Sequence, residues 1–419
     1  MSGVTKSQRI RPISGGPDTS RKGFLTKFRD PSEVGIHSRR ADNRDGSMDL
    51  PSTTALRRSS RATRRSAGPA RATSPGQAAG EENLLSRYRQ FDGKSVLVTG
   101  GTGSFGRLFI RNLMARSRPE RLIVFSRDEF KQYEMQQMLQ GPEAAALRFF
   151  IGDVRDPERL DLAAREVDII VHAAALKHVP AAEYNPFECI RTNITGAENV
   201  VRAALRNDVS RVIALSTDKA ASPINLYGAT KLASDKIFVA ANNLAGSRAT
   251  RFAVVRYGNV VGSRGSVIPL FRRLVAEGAD SLPVTDLRMT RFWITLQQGV
   301  DFVVSSLAMM HGGEIFVPKI PSMRIADLAR AMGPDLQQRV VGIRPGEKLH
   351  EVMITEDDSR QTLELGDRYV IEPVFSFWDR TPYLERGAKP VHEGFRYSSD
   401  TNTAWLEDGE LARMIAEAA

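Results

Sequence analysis

The 419 residues of this chain include one cysteine, Cys189. That excludes an internal disulfide and any zinc site built on clustered thiolates, and it permits a reducing compartment. Cys189 is expected as a small packed side chain. Histidine is also scarce, six in all, and His172, His178 and His350 are too dispersed to form a metal site, so no metal is expected. No uninterrupted apolar run approaches the roughly 18 residues that span a bilayer, and the start of the chain lacks an apolar block of signal-peptide type. The expectation is a cytoplasmic protein without a membrane span. Excess charge is missing from most of the chain too. Residues 1–90 carry 18 Lys and Arg against 8 Asp and Glu, while the remainder carries 41 of each, so the net charge of +10 lies wholly in the first 90 residues. That basic tail includes "ALRRSSRATRRSAGPARATSPG" and has too little apolar surface to offset chain entropy, so disorder is expected there. A polyanion-binding or membrane-surface arm is its functional alternative, and a true start at Met48 is a third reading. No nucleic acid is expected on the folded domain.

From about residue 92 the pattern changes to short β-branched runs alternating with helix-length amphipathic stretches. The runs are "SVLVTG" (95–100), "RLIVFSR" (121–127), "LRFFIGD" (147–153), "VDIIVHAAA" (167–175), "RVIALST" (211–217) and "RFAVVRYGNVVG" (251–262). Helices are expected near 104–116, 129–140, 156–165, 183–207 and 226–244. Buried strands joined by crossover helices give an α/β fold, a doubly wound parallel sheet of Rossmann type, over residues 91–262. Residues 263–419 read mainly as a smaller C-terminal lobe, with "GEIFVP" (313–318) as a late strand returning to the sheet.

The first strand runs into "TGGTGSFG", with Gly100, Gly103 and Gly106 spaced three apart and a helix close behind. Glycine there allows a tight turn, a close approach to a pyrophosphate, and a helix N-terminus aimed at the phosphates. Thr102, Ser104 and Phe105 complete the turn. The second strand ends at Ser126 and Arg127, a hydroxyl and a guanidinium that suit a ribose 2′-phosphate, so NADP is expected over NAD, and Lys131 just beyond is a further candidate for the cofactor. Asp128 keeps NAD open, or it begins the next helix. Asp153 and Val154 after the third strand fall where an adenine edge would lie, and Ala173, Ala175 and Lys177 after the fourth line the route toward the nicotinamide.

At the other end stands "STDKAASPINLYGATK" (216–231). Tyr227 and Lys231, four apart, share one helix face. An adjacent ammonium favours the phenolate and brings tyrosine toward the range where it takes a hydroxyl proton. Asp218 and Lys219 set an acid beside a base, which transfer of a hydride alone does not require. Neighbours on a regular strand point to opposite sides, so both reach one ligand only if the chain bends at the strand's end.

The glycine turn, "STDK", "YGATK" and "RYGNVVGSRGSV" resemble the extended short-chain dehydrogenase/reductase family. With "SRDEFKQ", "FFIGDVRD", "HAAALKHVPAAEYNP", "MTRFWIT", "GGEIFVPKIPSM" and "IRPGEKLHE", residues 92–407 are similar to the inverting UDP-N-acetylglucosamine 4,6-dehydratases of pseudaminic acid biosynthesis. The resemblance implies an NADP-dependent lyase. Tyr227 takes the proton of the carbon-4 hydroxyl during oxidation, water leaves across carbons 5 and 6 with Asp218 as acid and Lys219 as base, and carbon 6 is then reduced. Carbon 5 is reprotonated on the opposite face. Thr217 orients the substrate hydroxyl. The resemblance also points to Asn259, Val260, Arg291, Arg344 and Glu347 for the UDP-sugar, with Lys177 and Asn193 near the reacting ring, and to a homo-oligomer. A nucleotide-sugar 4-epimerase and a non-catalytic dinucleotide-binding protein are the alternatives.

Overall fold

Six parallel strands follow the alternation of the sequence: β1 (Ser95–Thr99), β2 (Arg121–Ser126), β3 (Leu147–Ile151), β4 (Ile169–His172), β5 (Arg211–Thr217) and β6 (Arg251–Tyr257). They lie in the order β3-β2-β1-β4-β5-β6. The computed structural model describes residues 85–262, 266–375 and 378–417. Nearly all of the basic tail, and the expectation of disorder made for it, lies outside the described residues.

All five residues of β1 are buried, as a strand covered on both faces requires. The order reverses between β1 and β4, and right-handed crossovers therefore place the helices of the two halves on opposite faces. The reversal opens a crevice at the carboxyl ends of the strands, where a doubly wound sheet binds ligands. Ile315–Pro318 returns to pair parallel with β6, and Arg368–Ile371, Thr362–Leu365 and Lys389–Pro390 extend the edge antiparallel, making a ten-stranded sheet.

Beyond β6 a three-stranded sheet of Asn259–Val260, Thr290–Ile294 and Ser322–Arg324 packs with the helices Val267–Ala276 and Ile325–Met332. This part has its own apolar cluster, in which Ile268, Phe271, Trp293 and Leu328 are buried.

Two expected elements are divided. The helix anticipated over 183–207 is four pieces: Val179–Tyr184, Pro186–Ile190, a π-helical turn at Arg191–Thr195, and Gly196–Arg206. Pro186 forces Asn185 out of helical geometry, with φ −124° and ψ 65°. The long strand anticipated to residue 262 is interrupted at Gly258, where a Cβ would lie 2.6 Å from the Cβ of Phe292. The folded body also starts earlier than residue 91. Tyr88 and Phe91 are wholly buried, and the Tyr88 hydroxyl donates to Asp301 Oδ1 at 2.9 Å on the helix Leu296–Met309.

Candidate active site

The glycine turn follows β1 directly. Gly100 takes φ +66°, a left-handed conformation, and Gly103 caps the helix Ser104–Arg116. At Gly106 a Cβ would stand 2.5 Å from the Cα and carbonyl oxygen of Gly101, so only glycine lets this helix settle on the turn. Gly100, Thr102, Gly103, Ser104, Phe105 and Gly106 line one end of a cleft of about 560 Å³. Ser126, Arg127, Lys131, Asp153, Val154, Ala173, Ala175 and Lys177 continue its wall. A hydrogen bond of 2.8 Å between the hydroxyls of Thr102 and Ser126 joins the turn to the end of β2.

Asp128 serves as the cap of the helix Glu129–Met138. Its carboxylate accepts from Lys131 N at 3.0 Å and pairs with the Lys131 ammonium, and these bonds hold it below the usual carboxylate range. Arg127, about half exposed, pairs with Asp153 at 3.4 Å. Asp153 is gripped by Arg155, whose Nη2 lies 2.7 Å away.

At the opposite end β5 stops at Thr217 and the chain folds into a single 3₁₀ turn, Asp218–Ala220. This bend sends Asp218 and Lys219 to the same side, and both line the cleft together with Thr217, Tyr227 and Lys231. The Thr217 hydroxyl donates to Asp218 Oδ1 at 2.9 Å and accepts from Lys219 N at 3.4 Å. Gly228 makes the approach possible, because a Cβ there would fall 2.2 Å from the Lys219 carbonyl oxygen. The turn and the start of the helix Leu226–Ala245 thus pack backbone to backbone, setting Tyr227 beside Lys219.

Asp218 is buried. Its Oδ1 also accepts from Lys219 Nζ at 3.1 Å, while Oδ2 is buried without a hydrogen-bond partner. Lys219 Nζ lies 3.0 Å from Glu351 Oε1 as well. Burial alone would depress the Lys219 ammonium, but Asp218 and Glu351 outweigh it and hold the group well above its ordinary value.

Burial pushes the Tyr227 phenol up to about 12, against the opposing pull of Lys219 and of a hydrogen bond with Thr217. The positive charge opposing that rise comes from Lys219. Lys231 Nζ donates to the Leu215 carbonyl at 2.7 Å, and burial lowers its proton affinity against the field of Asp235. Under this helix His172 is buried, bonded through Nδ1 to Thr99 Oγ1 at 2.8 Å, and pushed down to about 3 by burial and by Lys231.

The residues expected to hold the nucleotide-sugar divide. Lys177, Asn259 and Val260 line the cleft, and Asn259 Oδ1 is buried without a partner. Asn193 does not line it. Its amide is spent on the backbone of Leu176, at 2.8 and 2.9 Å, and on Thr230 Oγ1 at 3.0 Å, so it fixes the loop after β4 instead. Arg291 is buried, with its guanidinium on the carbonyls of Thr290, Lys348 and Leu349. It braces the segment around residue 348 and offers no open fork to a phosphate. Arg344 is exposed and pairs with Glu347 at 3.8 Å, also away from the cleft wall.

Glu351, which sequence reasoning did not single out, is a direct partner of Lys219. Lys348, close by, donates to the Ala221 carbonyl at 2.6 Å and clamps the same turn. The only signal in the sequence is that both fall within "IRPGEKLHE". Among the described residues no group of three or more His, Cys, Asp or Glu is placed to hold a metal ion, and no helix is long and apolar enough to cross a membrane.

Comparison with known proteins agrees with this architecture. The model of a family described as "Polysaccharide biosynthesis protein" matches residues 96–373. A UDP-N-acetylglucosamine 4,6-dehydratase (inverting) of Campylobacter jejuni is 57% identical over 331 residues, 78% of this chain and 98% of the relative. A UDP-glucose 4-epimerase of Rickettsia bellii is 43% identical over 333 residues, covering 78% of this chain and 96% of that protein. Among solved structures, Pen from Bacillus thuringiensis superposes with a TM-score of 0.71 at 37% identity, over 78% of this chain and 98% of the other.

Proposed function

This chain belongs to the polysaccharide biosynthesis protein family, within the extended short-chain dehydrogenases/reductases, and from that premise we propose how its cleft works. The chain is an enzyme that dehydrates UDP-N-acetylglucosamine at carbons 4 to 6 with inversion at carbon 5. A nicotinamide dinucleotide bound along the glycine turn would supply the redox chemistry, accepting hydride from carbon 4 and returning it at carbon 6. Tyr227 takes the proton of the carbon-4 hydroxyl. Its phenol, pushed to about 12, needs every neighbouring positive charge to act near neutrality, and the Lys219 ammonium supplies one within the protein. Once carbon 4 is a ketone, the hydrogen on carbon 5 is acidic. For this step the proton shared along the 3.1 Å Lys219–Asp218 contact passes to Asp218, leaving Lys219 a neutral amine; Lys219 Nζ then takes the carbon-5 proton, and Asp218 gives its proton to the carbon-6 hydroxyl, which departs as water.

The observation that carries this reading is the 3₁₀ turn after Thr217, which brings an acid and a base to the edge of the cleft occupied by Tyr227. An epimerase needs only the oxidation, and the Rickettsia relative keeps that second reading in view. Incubation with UDP-N-acetylglucosamine and mass analysis of the product separates the two: the dehydratase product has lost water, whereas an epimerase product is isobaric with substrate.

NADP is the proposed form of the dinucleotide. The engagement of Asp128 as a helix cap supports it, since that carboxylate is spent on backbone and Lys131, while Arg127 stands exposed beside Ser126. A cytoplasmic homo-oligomer whose product leads toward pseudaminic acid completes the proposal, checked by light scattering and by following the product into the glycan.

A further inference from the structure

A cluster of charged side chains surrounds the Lys219 ammonium, and one member comes from far along the chain. Glu351 is 1% exposed. Its backbone is clamped on both sides by Ser399: Glu351 N donates to Ser399 Oγ at 2.9 Å and Ser399 N donates to the Glu351 carbonyl at 2.8 Å. The Ser399 hydroxyl is bonded in turn to Thr290 Oγ1 at 2.7 Å. So rigid a mounting for a buried carboxylate is costly unless its charge is matched. It is matched by Lys219 Nζ at 3.0 Å, by Arg291 Nε at 3.7 Å and by Lys348 Nζ at 3.8 Å.

We propose that Glu351 is a positioning residue for the elimination step: a fixed counter-charge that holds the Lys219 amine at the sugar edge and sets the pH at which it can accept the carbon-5 hydrogen. This inference rests on the dehydratase reading. An amine in contact with two carboxylates keeps its proton, and in that form it cannot act as a base. Asp218 alone would hold Lys219 toward its own turn; Glu351, mounted on a separate segment, gives Nζ a second anchor at 3.0 Å. Besides these two, the groups facing Lys219 are Tyr227 on the neighbouring helix, Arg291 on the strand Thr290–Ile294, and Lys348 beside Glu351. Removing the Glu351 charge leaves the ammonium one carboxylate short, with Arg291 and Lys348 still near. Its proton then leaves at lower pH.

The test uses the full chain and two readouts. The first is acylation of Lys219 by a small amine-reactive reagent across pH, quantified by mass on the peptide that contains it. In Glu351→Gln the reactive form should appear at a pH lower by about one unit or more, the scale on which a nearby opposite charge acts. The second is the pH–rate profile of dehydration, whose rising limb should move the same way while the plateau falls about tenfold. Glu351→Asp keeps the buried charge but withdraws it by about one methylene, and should shift both readouts in the same direction by less. It also serves if the Gln variant fails to fold. Lys219 reactivity and a pH limb that stay in place in the folded variants overturn the inference, even if activity drops. Loss of water absent from the wild-type product instead overturns the dehydratase reading, an outcome seen without any variant.

Discussion

The cleft has two ends, and they are assembled differently. At the cofactor end the glycine turn runs continuously from Gly100 to Gly106, fixed by one left-handed glycine and one close helix approach. At the sugar end Asp218 and Lys219 come from one short turn, Tyr227 from the next helix, and Glu351 and Lys348 from a segment whose contact with Ala221 spans 127 positions. A phosphate site of backbone amides can be local because its donors are consecutive. An acid–base pair of chosen proton affinity needs charges arriving from several directions, so it depends on the tertiary fold.

Tyr227 stands where the two ends meet, and its replacement gives the largest expected effect. Tyr227→Phe should lower turnover by roughly 10²- to 10⁴-fold, the range of a general base. The same variant should still bind the dinucleotide, by fluorescence titration, and retained turnover would remove Tyr227 from its role. A pair of glycines divides the ends more finely. Gly228→Ala places a methyl 2.2 Å from the Lys219 carbonyl and Gly106→Ala places one 2.5 Å from Gly101, so each must shift backbone. Each should cost about 1–3 kcal/mol of stability, as overpacking does. Gly228→Ala should lose dehydration while binding dinucleotide, and Gly106→Ala should lose dinucleotide affinity first. If both variants lose the same property, the ends are not separable. The smallest effect belongs to Arg127→Ala, expected to reduce the preference for NADP over NAD by about tenfold, near 1.4 kcal/mol. Equal affinities before and after the change would return the 2′-phosphate to other partners.

The same division explains what was legible in the sequence. Six strands, the glycine turn and the helix bearing Tyr227 and Lys231 follow from local spacing, because each is specified by a run of neighbours. The capping role of Asp128 was one of two readings and needed only three residues to arise. The family resemblance points Asn193 toward the reacting ring and Arg291 toward the nucleotide-sugar, and in sequence an amide and a guanidinium carry no sign of whom they bond. Their partners, Leu176, Thr230 and the carbonyls near Lys348, become neighbours only on folding. Glu351 was invisible for the same reason: a lone Glu after a histidine reads as a solvated charge until Ser399 and Lys219 close around it. The break at Asn185 could have been read, since Pro186 announces it.

The burial of Tyr88 and Phe91 bears on how the enzyme should be trimmed for expression. A shortened chain beginning at Gly93, where alternation of strand and helix becomes plain, would uncover Phe109, whose ring lies edge-on to that of Phe91 at 5.9 Å. It would also strip the phenol that caps Asp301 and strand a greasy socket at the back of the sheet. Truncations are better cut upstream of Leu85, so that this aromatic stopper travels with the catalytic body.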